Sequence, residues 1–187
     1  MRQFNAANDS VRVPVHATLL KLVVASTLCL AIVPAFSRAM PAFEMAAAVD
    51  APGGHYLADG NYKAAVKAVM ASRSRVSRLE TMWLESNACV AHTKLRQFDQ
   101  AGTACDIAVN LASLRYGSGD SRHDINRRLA FAHSNRAILR RATGDLAAAE
   151  SDIQTAMALA PTNSVVKANA TAFAARREAL AATARNQ

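Results

Sequence analysis

The sequence predicts an all-α fold of stacked antiparallel helical hairpins, and three observations carry that expectation. The 187 residues include 42 alanines, the best helix former, against only 7 glycines and 5 prolines. Helix-start and helix-stop signals punctuate the chain, and no alternating strand pattern competes between them. Finally, a shift of 48 residues lays Glu85 to Ala112 over His133 to Ala160 with matching features. With 51% hydrophobic and 19% charged residues, the chain is too apolar for a disordered protein. Its length fits one domain whose core needs no metal, and three cysteines are too few for a disulfide scaffold.

The first 39 residues read as a targeting segment. Arg2, Arg12 and Lys21 make a basic start, Leu22 to Val33 carry no charge, and Ser37 and Ala39 are small residues three and one before a cut. This is the layout of a secretory signal peptide, which predicts an exported, periplasmic or secreted protein. The alternative is an uncut anchor spanning the membrane with residues 19–36. Without residues 1–39, 18 basic and 13 acidic groups leave a charge of +5 rather than +8, carried mainly by arginine.

The elements follow in order. Residues 40–57, broken by Pro41, Pro52 and the Gly53-Gly54 pair, read as a flexible lead-in with at most one short helix. Gly60-Asn61 introduces a helix to about Ser72. Ser77-Arg78-Leu79-Glu80 is a capping box, so a helix starts at Arg78 and runs to about Arg96. The next covers Phe98 to Arg115, closed by Gly117-Ser118-Gly119. Asp120-Ser121 caps a helix to Thr143; Gly144 suits its left-handed end, and Asp145 caps a helix that stops at Pro161. A last helix runs from Val165 to about Arg185. Its Val165, Val166, Phe173 and Leu180 face inward, with Arg176, Arg177, Glu178 and Arg185 outward.

Under the shift of 48, Ser86-Asn87 falls on Ser134-Asn135, and Ala101, Ala108 and Leu111-Ala112 on Ala149, Ala156 and Leu159-Ala160. A shift of 84 lays Gly60 over Gly144. Fixed-period helix pairs stack, because each hairpin leaves an apolar face for its neighbour to cover. Small Ala137, Ala149 and Ala156 mark a close crossing, with Leu139, Leu146, Ile153, Met157 and Leu159 as apolar fill.

Residues 130–163 resemble a tetratricopeptide repeat. The resemblance rests on Asn135-Arg136-Ala137 in the first helix, the Gly144-Asp145-Leu146 turn, Ala149 and Ala156 in the second helix, and Leu159-Ala160-Pro161 at its close. Over 82–112 the turn is Arg96-Gln97-Phe98 and no proline closes the unit, and 58–72 supply half a repeat. The resemblance implies a TPR-like α-α superhelix over 58–163, with 164–187 as a C-terminal capping helix. By the repeat pattern, Cys89 and Cys105 lie midway along facing helices. They are either bonded, as an exported protein permits, or two buried free thiols. His92 is one turn from Cys89, but no fourth ligand accompanies them and no metal site is expected.

The resemblance also implies a concave groove lined by the first helix of each unit. In this sequence that face is Trp83, Asn87, Val90 and Lys94 in one unit, and Phe131, Asn135, Ile138 and Arg141 in the other. Carboxamides both donate to and accept from a peptide backbone, aromatics give rigid contact area, and cations meet carboxylates. Trp83 and Phe131 have an equally good alternative, packing against adjacent helices. No catalytic signature and no phosphate loop is present, so the expected function is non-catalytic binding of a protein or peptide, without a cofactor. The alternative is an anionic envelope polymer or surface, bound through Arg122, Arg127, Arg128, Arg136, Arg140 and Arg141. Nucleic acid is not an expected partner, and a membrane is one only through an uncleaved N-terminal segment.

Overall fold

The computed structural model describes residues 42–117 and 119–185. Among them are seven α-helices and no strand: α1 (Gly54–Ala58), α2 (Tyr62–Ser72), α3 (Arg78–Lys94), α4 (Phe98–Ala112), α5 (Arg122–Ala142), α6 (Leu146–Leu159) and α7 (Ser164–Arg185). None of these helices is long and apolar enough to cross a membrane. The targeting segment of 1–39, with its alternative anchor at 19–36, lies outside the described residues.

Local chemistry sets the helix starts. The side chains of Asn61, Ser77, Ser121 and Asp145 each accept a hydrogen bond from an amide in the first turn of α2, α3, α5 and α6. At Ser77 the capping box is complete, with Glu80 accepting from the Ser77 amide at 2.7 Å.

Three turns share one geometry. Gly60, Arg96 and Gly144 have φ of 71°, 58° and 89°, and the two amides at each turn bond back across the preceding helical turn. Arg96 thus occupies the position for which glycine is best suited, which explains how the hairpin α3–α4 forms without one. α4 stops at Ala112, short of the expected Arg115. The Ser113 and Tyr116 hydroxyls donate to the Asn110 and Leu111 carbonyls at 2.8 and 2.5 Å, satisfying groups that a longer helix would have bonded itself.

Each helix packs on the next in chain order, and α5 also touches both α3 and α7. The helices α3, α5 and α7 therefore stand side by side, with α4 and α6 behind them. Close approach depends on small residues: Ala137, Ala149 and Ala156 are fully buried in one cluster with Ile153, Val166 and Phe173. Between α3 and α4, Cys89 and Cys105 are joined in a disulfide, with Cα atoms 4.9 Å apart. A longer side chain at either crossing would push the axes apart.

Two inward expectations are corrected. Leu146 is 47% exposed, because it is the first residue of α6 and precedes the crossing. Leu180 is 58% exposed, because the last turns of α7 extend past the helices that cover Val165, Val166 and Phe173.

Two stability measurements check this packing. Reduction of the disulfide should lower unfolding free energy by about 3 kcal/mol, the usual value for a loop near 15 residues, in urea titrations with and without reductant. Arg96→Gly should raise it by about 1 kcal/mol, since glycine reaches positive φ without a Cβ penalty.

Candidate functional site: a groove that holds an extended chain

The helices α3, α5 and α7 each turn one asparagine toward the same side. Asn87, Asn135 and Asn169 are 0%, 2% and 0% exposed, so each carboxamide needs partners within the protein. The partners come from residues 42–49, which run without helical structure across all three helices. Expected as a flexible lead-in, this segment is a strap bonded at every second residue.

The pattern is the same at each step. The Ala48 amide donates to Asn87 Oδ1 at 2.9 Å, and Asn87 Nδ2 donates to the Ala48 carbonyl at 2.9 Å. Asn135 exchanges the same two bonds with Ala46, both at 2.8 Å. Asn169 exchanges them with Glu44 at 2.8 and 2.7 Å. In an extended chain the amide and carbonyl of one residue point to one side, and those of the next residue to the other. Residues 44, 46 and 48 therefore show both groups to the helices. Spare donors are also used: Asn87 Nδ2 reaches the Pro52 carbonyl at 3.1 Å, and Asn169 Nδ2 reaches Ser134 Oγ at 2.9 Å.

Side chains fix the strap at both ends. The Phe43 ring lies 4.8 Å from the Phe173 ring, with the Arg176 and Arg141 guanidiniums 4.3 and 5.1 Å from its centroid. Burial, and then the like charge of Arg141, pulls Arg176 below the ordinary guanidinium value. Met45 is buried with Leu57, Ala65, Val69 and Leu84. At the other end, Gly53 turns the chain with φ 86°. A Cβ on Gly54 would overlap the Ala48 and Val49 carbonyl oxygens, so only glycine lets α1 approach the strap this closely.

Beside the strap is a cavity of about 150 Å³, whose wall includes Met45, Ala47, Tyr62, Val90 and Lys94. Burial lowers the Lys94 ammonium below the ordinary lysine value. Among the described residues no carboxylate lies within ion-pair distance of it.

Behind the groove, α5 is braced on α6. Asp152, 3% exposed, takes a two-pronged bond from Arg136 at 2.9 and 2.8 Å, a 2.7 Å contact from His133 and a 2.8 Å contact from Arg140. Arg136 also reaches Asp106 of α4 at 2.8 Å. Asn135 sits between His133 and Arg136 in sequence, so the brace fixes the rotation of α5 that aims Asn135 at the strap.

Of the residues the sequence nominates, Asn87 and Asn135 meet the strap, Arg141 meets Phe43, and Val90 and Lys94 line the cavity. Ile138 packs against the core cluster that contains Met45. Trp83 packs instead against the cluster of Met82, Ala108, Val109, Ala112 and Ala132. Phe131 is half-buried one turn before Asn135 and takes no part in the bonds and ring contacts described for the strap. Asn169, Phe43 and Arg176 were missed. Asn169 has a signal in the sequence, standing 34 residues after Asn135, but it lies in the helix expected to be a cap.

The brace predicts an acid response. Burial alone would raise the Asp152 carboxyl, but hydrogen bonds from His133 and Arg136 and the charges of Arg136 and Arg140 outweigh it and hold it at about 2. A carboxyl lowered on folding stabilises above its unfolded value, and that stabilisation is lost as pH falls toward the folded value. Asp152 should thus cost the protein about 2 kcal/mol between pH 5 and pH 2. Urea midpoints of Asp152→Asn should fall less over that range than those of the parent chain.

Set against family models, curated proteins and solved structures, the chain finds no match in any of the three.

Proposed function

We propose that this is a non-catalytic, exported, TPR-like protein whose groove binds an extended segment of another protein. One observation carries the reading: three buried carboxamides, one each from three adjacent helices, hold alternate residues of an extended chain by backbone bonds alone. Such a surface accepts any sequence that lies flat and has an amide at each read position. Support for TPR-like stacking comes from the repeated turns at Gly60, Arg96 and Gly144 and from the spacing of 34 between Asn135 and Asn169. Export rests on the N-terminal sequence.

The anionic-polymer alternative has less to draw on. Arg128 pairs with Asp120 at 2.8 Å, Arg136 and Arg140 share Asp152, Arg127 contacts Asp124 at 3.5 Å, and Arg141 lies over Phe43.

The strap complicates a simple test. Asn135→Ala weakens strap and guest alike, so its effect on a guest's apparent affinity cancels while the strap fills the groove. The comparison belongs in a Phe43→Ala chain, where the strap has lost its ring anchor. A labelled peptide with the sequence of residues 42–50 should bind that chain by fluorescence anisotropy. Adding Asn135→Ala or Asn87→Ala should weaken binding about tenfold, the usual loss for one or two buried hydrogen bonds. Raising salt should change it little. No binding, binding indifferent to both asparagines, or binding abolished by salt would overturn the reading.

A further inference from the structure

Resting on that reading, we infer that the strap is a tethered placeholder, displaced by a segment of another protein with an aromatic anchor like Phe43 and an acidic side chain that enters the cavity beside Lys94.

Three observations point to a different final occupant. First, the strap underfills its groove. A cavity of about 150 Å³ remains along it, and Ala47 in its wall supplies at most a methyl group. A glutamate side chain fits such a volume.

Second, the cavity is chemically selective. Its wall is largely apolar, with Met45, Leu57 and Val90, and its cation is the half-buried Lys94. Glu44 also borders the cavity, yet its carboxylate makes no ion pair with Lys94. A carboxylate brought there by a guest would gain a charge-assisted bond in a partly desolvated site, a bond that the strap lacks.

Third, the bonds that hold the strap are indifferent to its identity. All six asparagine bonds to residues 44, 46 and 48 go to backbone atoms. A guest with amides at those positions, hence without proline there, replaces them one for one. The strap's advantage is its tether: a short connection through Pro52-Gly53-Gly54 gives it a local concentration near the millimolar range. A guest wins by adding what the strap omits.

The test uses two labelled peptides and the full chain. One peptide repeats residues 42–50; the other has glutamate at the position of Ala47. Gly54→Ala pushes its new methyl into the Ala48 and Val49 carbonyls and so loosens the strap without touching any groove residue. Phe43→Ala loosens it at the other end. Both variants should bind both peptides about tenfold more tightly than the parent chain does, as expected when an internal competitor is weakened. The glutamate peptide should outbind the other by about tenfold, and Lys94→Met should erase that difference while leaving the parent peptide unaffected. Equal affinity of the two peptides, or a difference that survives Lys94→Met, overturns the acidic guest. Parent and loosened chains that bind alike, with Asn135 still required, overturn the placeholder while leaving the peptide groove standing. The placeholder also falls if both loosened variants fail to fold by circular dichroism, since the strap is then an inseparable part of the core. It falls as well if the parent chain sediments as a dimer that exchanges straps.

Discussion

The structure depends on the pairing of asparagine carboxamides with an extended backbone. A buried carboxamide without partners costs more than the bond it could form contributes, so Asn87, Asn135 and Asn169 commit the fold to keeping something in the groove. The strap meets that demand with two bonds per asparagine and leaves its own side chains free for other work. Phe43 and Met45 then carry the strap into two different core clusters, coupling a polar ladder to hydrophobic burial.

For that ladder to form, three helices must stand at fixed spacing and fixed rotation. Alanines at the α5–α6 crossing and the Cys89–Cys105 bond between α3 and α4 set the spacing. The rotation of α5 is set by the cluster around Asp152, whose partners His133, Arg136 and Arg140 all come from one face of that helix. The disulfide and the ion cluster are far apart in kind, yet both serve the same geometry. A groove built on such a frame is rigid, and rigid donors bind an extended chain without losing side-chain entropy on contact.

Much of this was legible. Helix starts announced themselves through Ser77, Ser121 and Asp145, because capping is a local event between residues two or three apart. Asn87 and Asn135 fall on each other under the shift of 48, and the tetratricopeptide resemblance implies a groove face for both. Arg96 was harder to read: a left-handed turn without glycine has no compositional mark, and the turn is recognised only from its hydrogen bonds. Trp83 was equally open to groove or core, since helical periodicity names a face but not its neighbour.

The sequence by itself determined the helices, the capped starts at Ser77, Ser121 and Asp145, and the register of small residues, because each depends on contacts within a few positions along the chain. Only the tertiary structure decided what fills the groove. The strap meets Asn87, Asn135 and Asn169 across separations of 39, 89 and 125 residues, and its alanine-rich run carries no period that could announce an extended conformation. An extended segment held by side chains from other elements takes its shape from them, so its conformation is written in the asparagines and not in itself.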